Sequence, residues 1–290
     1  MRLMAGQLDG RGSVFRVDAG EATALDLAAA GLEVGEDLMA LISDAALLAR
    51  ARTAEGPRVA VDRIVPALPV ARPGKIICLG LNYIDHVREG GYEVPEYPAL
   101  FMRGLTSVMP GGAPMLLPLC SERLDYEAEL LAVIGRGGRH IREADALEHV
   151  FGYAAFNDGT VRDYQRKTHQ WTPGKNFDAT GAIGPVVVTR DALPPGASGL
   201  RITCRVGEEI LQEATTDQMM WTVARTIATL SEYTTLEPGD LIAMGTPPGV
   251  GHARTPPRWL RPGEVVEVEI EGIGVCRSPV VAERRAEAAE

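Results

Sequence analysis

Asp125, Glu127 and Glu129 fall on alternate positions of Leu124–Ile134, a run that reads as a β-strand. A strand turns successive side chains to opposite faces, so the three carboxylates share one face and Tyr126, Ala128 and Leu130 the other. Neighbouring carboxylates repel one another and are costly to bury unpaired. A hard divalent cation removes that cost, because Mg²⁺, Mn²⁺ and Ca²⁺ take oxygen ligands. A solvated acidic face is the plain alternative, and an isolated Glu-x-Glu serves it as well. The apolar run Leu130–Ile134 carries the strand towards the interior, which leaves the two readings evenly balanced on this segment alone.

Other segments could complete such a site. Asp158 ends the apolar run Tyr153–Phe156 at Asn157-Asp158-Gly159, either as a simple turn or as a third carboxylate at a strand end. His86 and Glu89 are three apart, so one helical turn stacks them; a carboxylate beside imidazole orients it as a base, and a chance surface pair looks the same. Asp85 is a weaker candidate for the outer shell of a metal. Arg162 and Gln165, also i and i+3, could bind an anionic head. Lys175, between Gly174 and Asn176, could supply a proton or stabilise an oxyanion, although most lysines are simply solvated. Thr246 sits in the Gly/Pro-rich loop Gly245–Gly251, whose N–H groups could grip a carboxylate. His169 reads as a surface histidine. No P-loop, G-x-G-x-x-G after a strand, or nucleophile elbow is present.

The elements that must position these residues are mostly short strands. Residues 1–70 read as a small leading α+β unit, with a strand at Ser13–Val17 and helical spacing over Leu38–Ile42 and Ala45–Ala51. Pro66–Pro69 and Arg72-Pro73-Gly74 mark its end. Residues 71–282 form the second unit, with strands at Lys75–Gly80, Ala182–Val188, Leu200–Val206 and Glu264–Ile270 and a helix over Gln218–Ser231. The charged, Ala-rich segment 283–290 is expected to be a flexible tail. With 32 Gly and 20 Pro, turns are frequent, and the pattern predicts a β-rich α+β fold.

Composition excludes several classes. At 290 residues and 46% hydrophobic, the chain can bury an enzyme-sized core. A net charge of −10 without a Lys/Arg cluster argues against nucleic acid as a partner. No uncharged apolar run is long enough for a bilayer, and the N-terminus has no signal-type apolar core. The four cysteines are dispersed, with no zinc spacing, as in a reduced cytoplasmic protein.

Taken in order, Gly80-Leu81-Asn82-Tyr83 with His86, Asp125–Leu130, Asn157-Asp158, Arg162-Asp163, Gly174–Asp178, Gly245-Thr246-Pro247 and Glu271–Gly274 resemble the fumarylacetoacetate hydrolase family over residues 70–280. The long form with Gln170–Asp178 is similar to bacterial acylpyruvate hydrolases and hydroxymuconate isomerases. Arg277 stands where Asn is more usual. The resemblance implies a mixed β-sandwich roll behind a small N-terminal domain, usually as a homodimer. It implies Glu127, Glu129 and Asp158 as ligands of Mg²⁺ or Mn²⁺ (Ca²⁺ in a crystal), with Asp125 outside them. His86 and Glu89 match a water-activating pair on a lid, Lys175 the site lysine, and Arg162, Gln165 and Thr246 the substrate contacts. The expected activity is metal-dependent hydrolysis of a C–C bond in an acylpyruvate-type 2,4-dioxo acid such as fumarylpyruvate, in aromatic catabolism. Oxaloacetate decarboxylation and 2-hydroxyhepta-2,4-diene-1,7-dioate isomerisation are alternatives. A catalytically silent homologue that only binds metal or a small molecule, and a metal-independent Ser or Cys hydrolase, belong to other classes. Tyr92, Tyr97, Phe101 and Arg103 are candidates to line the lid side, although Phe101 reads more readily as a core residue.

Overall fold

The strands that carry the acidic residues are apolar on both faces, and the architecture follows from covering both. The computed structural model describes residues 1–18, 20, 22–91 and 93–285. In Ala128–Ile134, Leu130, Ala132 and Ile134 point into one core, and Leu131 and Val133 into another. The first core lies against a five-stranded sheet and the helix Val223–Tyr233, through Ile202, Cys204, Val266, Val268, Ile227 and Leu230. The second lies against the N-terminal segment, through Leu3, Val14, Leu25, Leu38 and Leu41. Sheet-on-sheet packing on one side and helices plus a folded-over sheet on the other make a β-rich α+β fold.

The large sheet has 13 strands. Its main path runs Arg58–Ala60, Thr23–Asp26, Arg11–Val17, Arg2–Leu8, Val186–Thr189, Val150–Asp158, Ala128–Ile134, Leu241–Ala243, Ile76–Gly80 and Ala99–Met102. Most neighbours are antiparallel, but Leu241–Ala243 runs parallel to Ile76–Gly80. The smaller sheet is Glu209–Thr215, Arg201–Val206, Val265–Ile270, Gly274–Ala282 and Met115–Leu117. Residues 1–66 thus supply five strands of the large sheet, joined to the remainder where Leu3 pairs with Val187. Asp44 caps Ala45–Thr53 by accepting from Ala46 and Leu47 N–H, and Thr222 caps Val223–Tyr233 by accepting from Arg225 N–H. Among the described residues no helix is long and apolar enough to cross a membrane.

The sequence pattern is locally modified in four places. The acidic strand is two strands, Leu124–Asp125 and Ala128–Ile134, interrupted at Tyr126-Glu127 because the first pairs with Thr160–Val161 and the second with Val150–Asp158. Ala182–Val188 is likewise split, into Gly181–Ile183 and Val186–Thr189, where Gly184 takes a φ of 80° that side-chain-bearing residues avoid. The helix expected over Gln218–Ser231 is Val223–Tyr233; Thr216–Gln218 is a separate turn and Met219 bridges to Tyr83. Glu209–Thr215 is a strand the alternation did not suggest, since it carries Glu209, Gln212 and Glu213 among its apolar residues. Glu283 continues from the last strand, its N–H donating to Leu117 O and its carboxylate accepting from Leu119 N–H; residues 286–290 lie outside the described ones.

Leu131 is fully buried between the carboxylate-bearing sheet and the N-terminal layer. Leu131→Ala is expected to cost about 2–5 kcal/mol. Because the two layers share that core, far-UV circular dichroism and tryptophan fluorescence should shift together in urea; separate transitions would show that the layers unfold independently.

Candidate metal centre

The two central strands bring the carboxylates together through the backbone. Asp158 N–H donates to Glu127 O at 2.9 Å, which places the end of Val150–Asp158 beside the break before Ala128. Glu127 N–H is held by Asn157 Oδ1 at 3.0 Å, and Ala128 N–H by Gln212 Oε1 at 2.9 Å. Glu127, Glu129 and Asp158 are all buried, with one ligand oxygen from each within 4.8 Å of the others. Gly159 makes the turn possible, since a Cβ there would lie 2.1 Å from Met115 Cε and 2.2 Å from Thr180 O.

Buried carboxylates need compensation. Lys175 Nζ lies 2.6 Å from Glu127 Oε2 and 2.5 Å from Asp158 Oδ2. Arg162 Nη2 lies 2.6 Å from Glu127 Oε1, while its Nε donates to Asp125 Oδ2 at 2.7 Å and its Nη1 to Gln165 Oε1 at 3.0 Å. Arg103 donates to the other oxygen of Asp158 and to Gly159 O, Ser107 and Thr180. Among the described residues, the Glu129 carboxylate has no cation in contact and accepts only Gly245 N–H, at 2.9 Å. The titration behaviour follows this division. Burial alone would push Glu127 up, but Lys175 and Arg162 outweigh it and hold the carboxyl down at about 2. Burial, with Asp158 and Glu127 nearby, pushes Glu129 well above the ordinary glutamate range. Burial disfavours the Lys175 ammonium, but Asp158 and Glu127 more than reverse this, so Lys175 keeps its proton.

A small cavity opens over these groups and is lined by His86, Glu127, Glu129, Arg162, Gln165, Lys175 and Thr246. Asp158 lies beneath it with no exposed surface, and Glu89 stands behind His86, whose Nδ1 is 3.4 Å from Glu89 Oε2. Glu89 is in turn fixed by Gly249 N–H at 3.0 and 3.1 Å. Thr246 Oγ1 accepts from Gln212 Nε2 at 2.8 Å, leaving its own proton for a ligand. The structure therefore gathers Glu127, Glu129, Asp158, His86, Glu89, Arg162, Gln165, Lys175 and Thr246 around one space.

Other expectations change. Asp85 is exposed and pairs with Arg88, so it does not reach the centre. Asp125 accepts Arg162 and three backbone N–H groups, and supports the site from outside the carboxylate cluster. Arg103 is beneath the carboxylates rather than at the lid, and Tyr97 packs edge-on against Trp221. Phe101 lines the cavity; Tyr92 lies outside the described residues. His169 is exposed. Two lining residues were not singled out, Trp171 and His252. Trp171 packs edge-on to Phe101 and fills the space beside Gly80, where a Cβ would come 2.0 Å from the indole. In the sequence Trp171 falls within the Gln170–Asp178 motif, and Gly80, at the end of a buried strand, leaves the space it fills.

The donor set fits a hard divalent cation. It is all oxygen and buried, and one of its members, Glu129, lacks a counter-charge. Comparison with known proteins is consistent with this chemistry. Residues 75–281 match the family described as Fumarylacetoacetate (FAA) hydrolase C-terminal. A human protein named Oxaloacetate tautomerase FAHD2A, mitochondrial, is 37% identical over 272 residues, 93% of this chain and 84% of the relative. The solved structure of a fumarylacetoacetate hydrolase from Exiguobacterium antarcticum superposes with a TM-score of 0.84 at 34% identity, covering 98% of this chain and 100% of that one. That of a 2-hydroxyhepta-2,4-diene-1,7-dioate isomerase from Mycobacterium marinum gives 0.77 at 28% identity, with the same coverages.

The raised Glu129 sets the sign of a stability effect. In the metal-free protein its contribution is present at low pH and is lost as pH rises from the ordinary glutamate range through its raised value. Glu129→Gln is therefore expected to raise the metal-free melting temperature at neutral pH and to flatten that slope. Mn²⁺ is expected to raise the melting temperature of the wild type, and the variant should abolish that rise. Calorimetry with EDTA and with Mn²⁺ checks both, and an undiminished Mn²⁺ effect in the variant would remove Glu129 from the ligand set.

Proposed function

Because the chain belongs to the fumarylacetoacetate hydrolase family, we propose that it is a divalent-metal-dependent enzyme of small 2-oxo acids, with keto–enol interconversion of oxaloacetate as its reaction. The observation that carries this reading is the sharing of one cavity by the buried carboxylate cluster and an imidazole backed by a carboxylate. A silent binding protein has no use for that second pair. Glu127, Glu129 and Asp158 would hold Mg²⁺ or Mn²⁺, which would supply positive charge to polarise the 2-oxo group and acidify the adjacent C–H.

The chain's own residues then account for orientation and proton movement. With Glu89 at Nδ1, His86 carries its proton there and presents Nε2 as a base. Nε2 takes the proton from C3, the C–H electron pair forms the C2–C3 double bond, and the 2-oxo oxygen takes up the carbonyl pair. The proton returns to that oxygen to give the enol, and the reverse path gives the ketone. Thr246 Oγ and the free amide hydrogens of Gln165 can bind the carboxylate next to the 2-oxo group. Lys175 stays protonated between Glu127 and Asp158, so it balances charge and does not serve as the base.

Hydrolysis of an acylpyruvate is the second reading, favoured by the fixed Glu89 behind His86. Nε2 would then deprotonate water, which attacks the distal carbonyl; the C3–C4 bond breaks and its electron pair leaves with the pyruvate enolate. The all-oxygen ligand set supports Mg²⁺ or Mn²⁺, and a homodimer and a cytoplasmic location complete the proposal.

Decay of the oxaloacetate enol absorbance and loss of acetylpyruvate, each with Mg²⁺, Mn²⁺ or EDTA, separate the readings. His86→Ala is expected to lower the enol–keto rate by about 10²–10⁴-fold. Glu127→Gln should remove the metal-dependent rate altogether. Full activity in EDTA would overturn the metal-dependent assignment, and acetylpyruvate cleavage without oxaloacetate turnover would replace the first reading by the second.

A further inference from the structure

His252 lines the same cavity, and no role in the chemistry above falls to it. Its position is built rather than incidental. Asp125, fully buried, accepts Gly251 N–H at 2.8 Å and His252 N–H at 3.0 Å, and so clamps this loop over the carboxylate layer. The approach is close enough that a Cβ on Gly251 would lie 2.6 Å from Asp125 Oδ1 and 1.9 Å from Arg258 O. The His252 side chain is 10% exposed, and its Nδ1 lies 3.4 Å from Asp125 Oδ2. That nitrogen is buried and makes no hydrogen bond among the described residues, which leaves the Nε2 edge to meet the cavity that His252 lines.

The charges of the other lining cations are already engaged. Arg162 is shared among Asp125, Glu127 and Gln165, and Lys175 between Glu127 and Asp158. His86 is needed for proton movement. Among the described residues that line the cavity, His252 is therefore the basic side chain left for an anionic group on the far end of a substrate. We propose that His252 is a specificity-determining residue that binds the distal carboxylate of a dicarboxylic 2-oxo acid through Nε2. A carboxylate that reaches Nε2 would accept its N–H, with the Asp125 carboxylate 3.4 Å from Nδ1 on the opposite edge of the ring. The proposal rests on the reading of the site as one for 2-oxo acids, and adds which of them it selects.

The test is equilibrium binding to the Mn²⁺-loaded protein of 2-oxobutanoate and oxaloacetate, four-carbon acids that differ by a terminal carboxylate. It is read from water-proton relaxation. The wild type is expected to favour oxaloacetate by about tenfold or more. His252→Asn keeps a polar group near the Nδ1 position and removes Nε2; it should erase the preference while 2-oxobutanoate binds as before. His252→Gln, with an amide reaching the Nε2 position, should restore part of it. No preference in the wild type, or equal weakening of both acids in His252→Asn, would overturn the proposal, the second by showing that the ring only supports the loop. Failure of both acids to bind the wild type would overturn the 2-oxo acid reading itself, and the proposal with it.

Discussion

The structure depends on placing four carboxylates in the protein interior, with almost no exposed surface. Asp125, Glu127, Glu129 and Asp158 lie at the end of two strands whose remaining side chains are core on both faces. Such a cluster is tolerable only with nearly matched charge, and Arg103, Arg162 and Lys175 supply three positive charges at contact distance. The shortfall falls on Glu129, the carboxylate without a cation partner. The acidic layer is thus one positive charge short by construction, and the shortfall is located at the oxygen atoms that face the cavity.

Much of this was legible in the sequence, because the informative residues are chemically unusual where they stand. Carboxylates running into Leu130–Ile134 have few structural reasons to be there, and Asp158 and His86 belong to short, ordered motifs. What was not legible depends on contacts distant in sequence. Arg103 meets Asp158 across 55 positions, and nothing local separates a buried arginine from a surface one. His252 reaches the cavity only because Asp125, 127 residues earlier, holds its backbone. Strand boundaries were misread for a related reason. Ala182–Val188 looks continuous by composition, yet its two halves, both paired with Val150–Asp158, meet different strands on their other side, Val108–Pro110 for the first and Arg2–Leu8 for the second. Register belongs to the sheet, not to the segment.

The loop that follows Leu241–Ala243 ties the parts together. Gly245 N–H meets Glu129, Gly249 N–H meets Glu89, and Gly251 and His252 N–H meet Asp125. One stretch of backbone thereby contacts a candidate ligand, the carboxylate behind the base and the carboxylate behind Arg162. Glycines at these positions permit approaches that a side chain would block, and the spacing of the acidic groups is set by main-chain atoms. Preorganisation by backbone is stiffer than by side chains, since it loses no rotamer freedom when a ligand enters.

The indole of Trp171, seated in the space that Gly80 leaves open, has a consequence of a different kind. It is one of three tryptophans in the chain, and it stands in the cavity wall beside Phe101. Trp221 is elsewhere, stacked under Arg225 and edge-on to Tyr97. The molecule therefore contains its own optical reporter: an emitter at the mouth of the acidic layer, whose quenching can follow occupancy of the cavity without label or turnover.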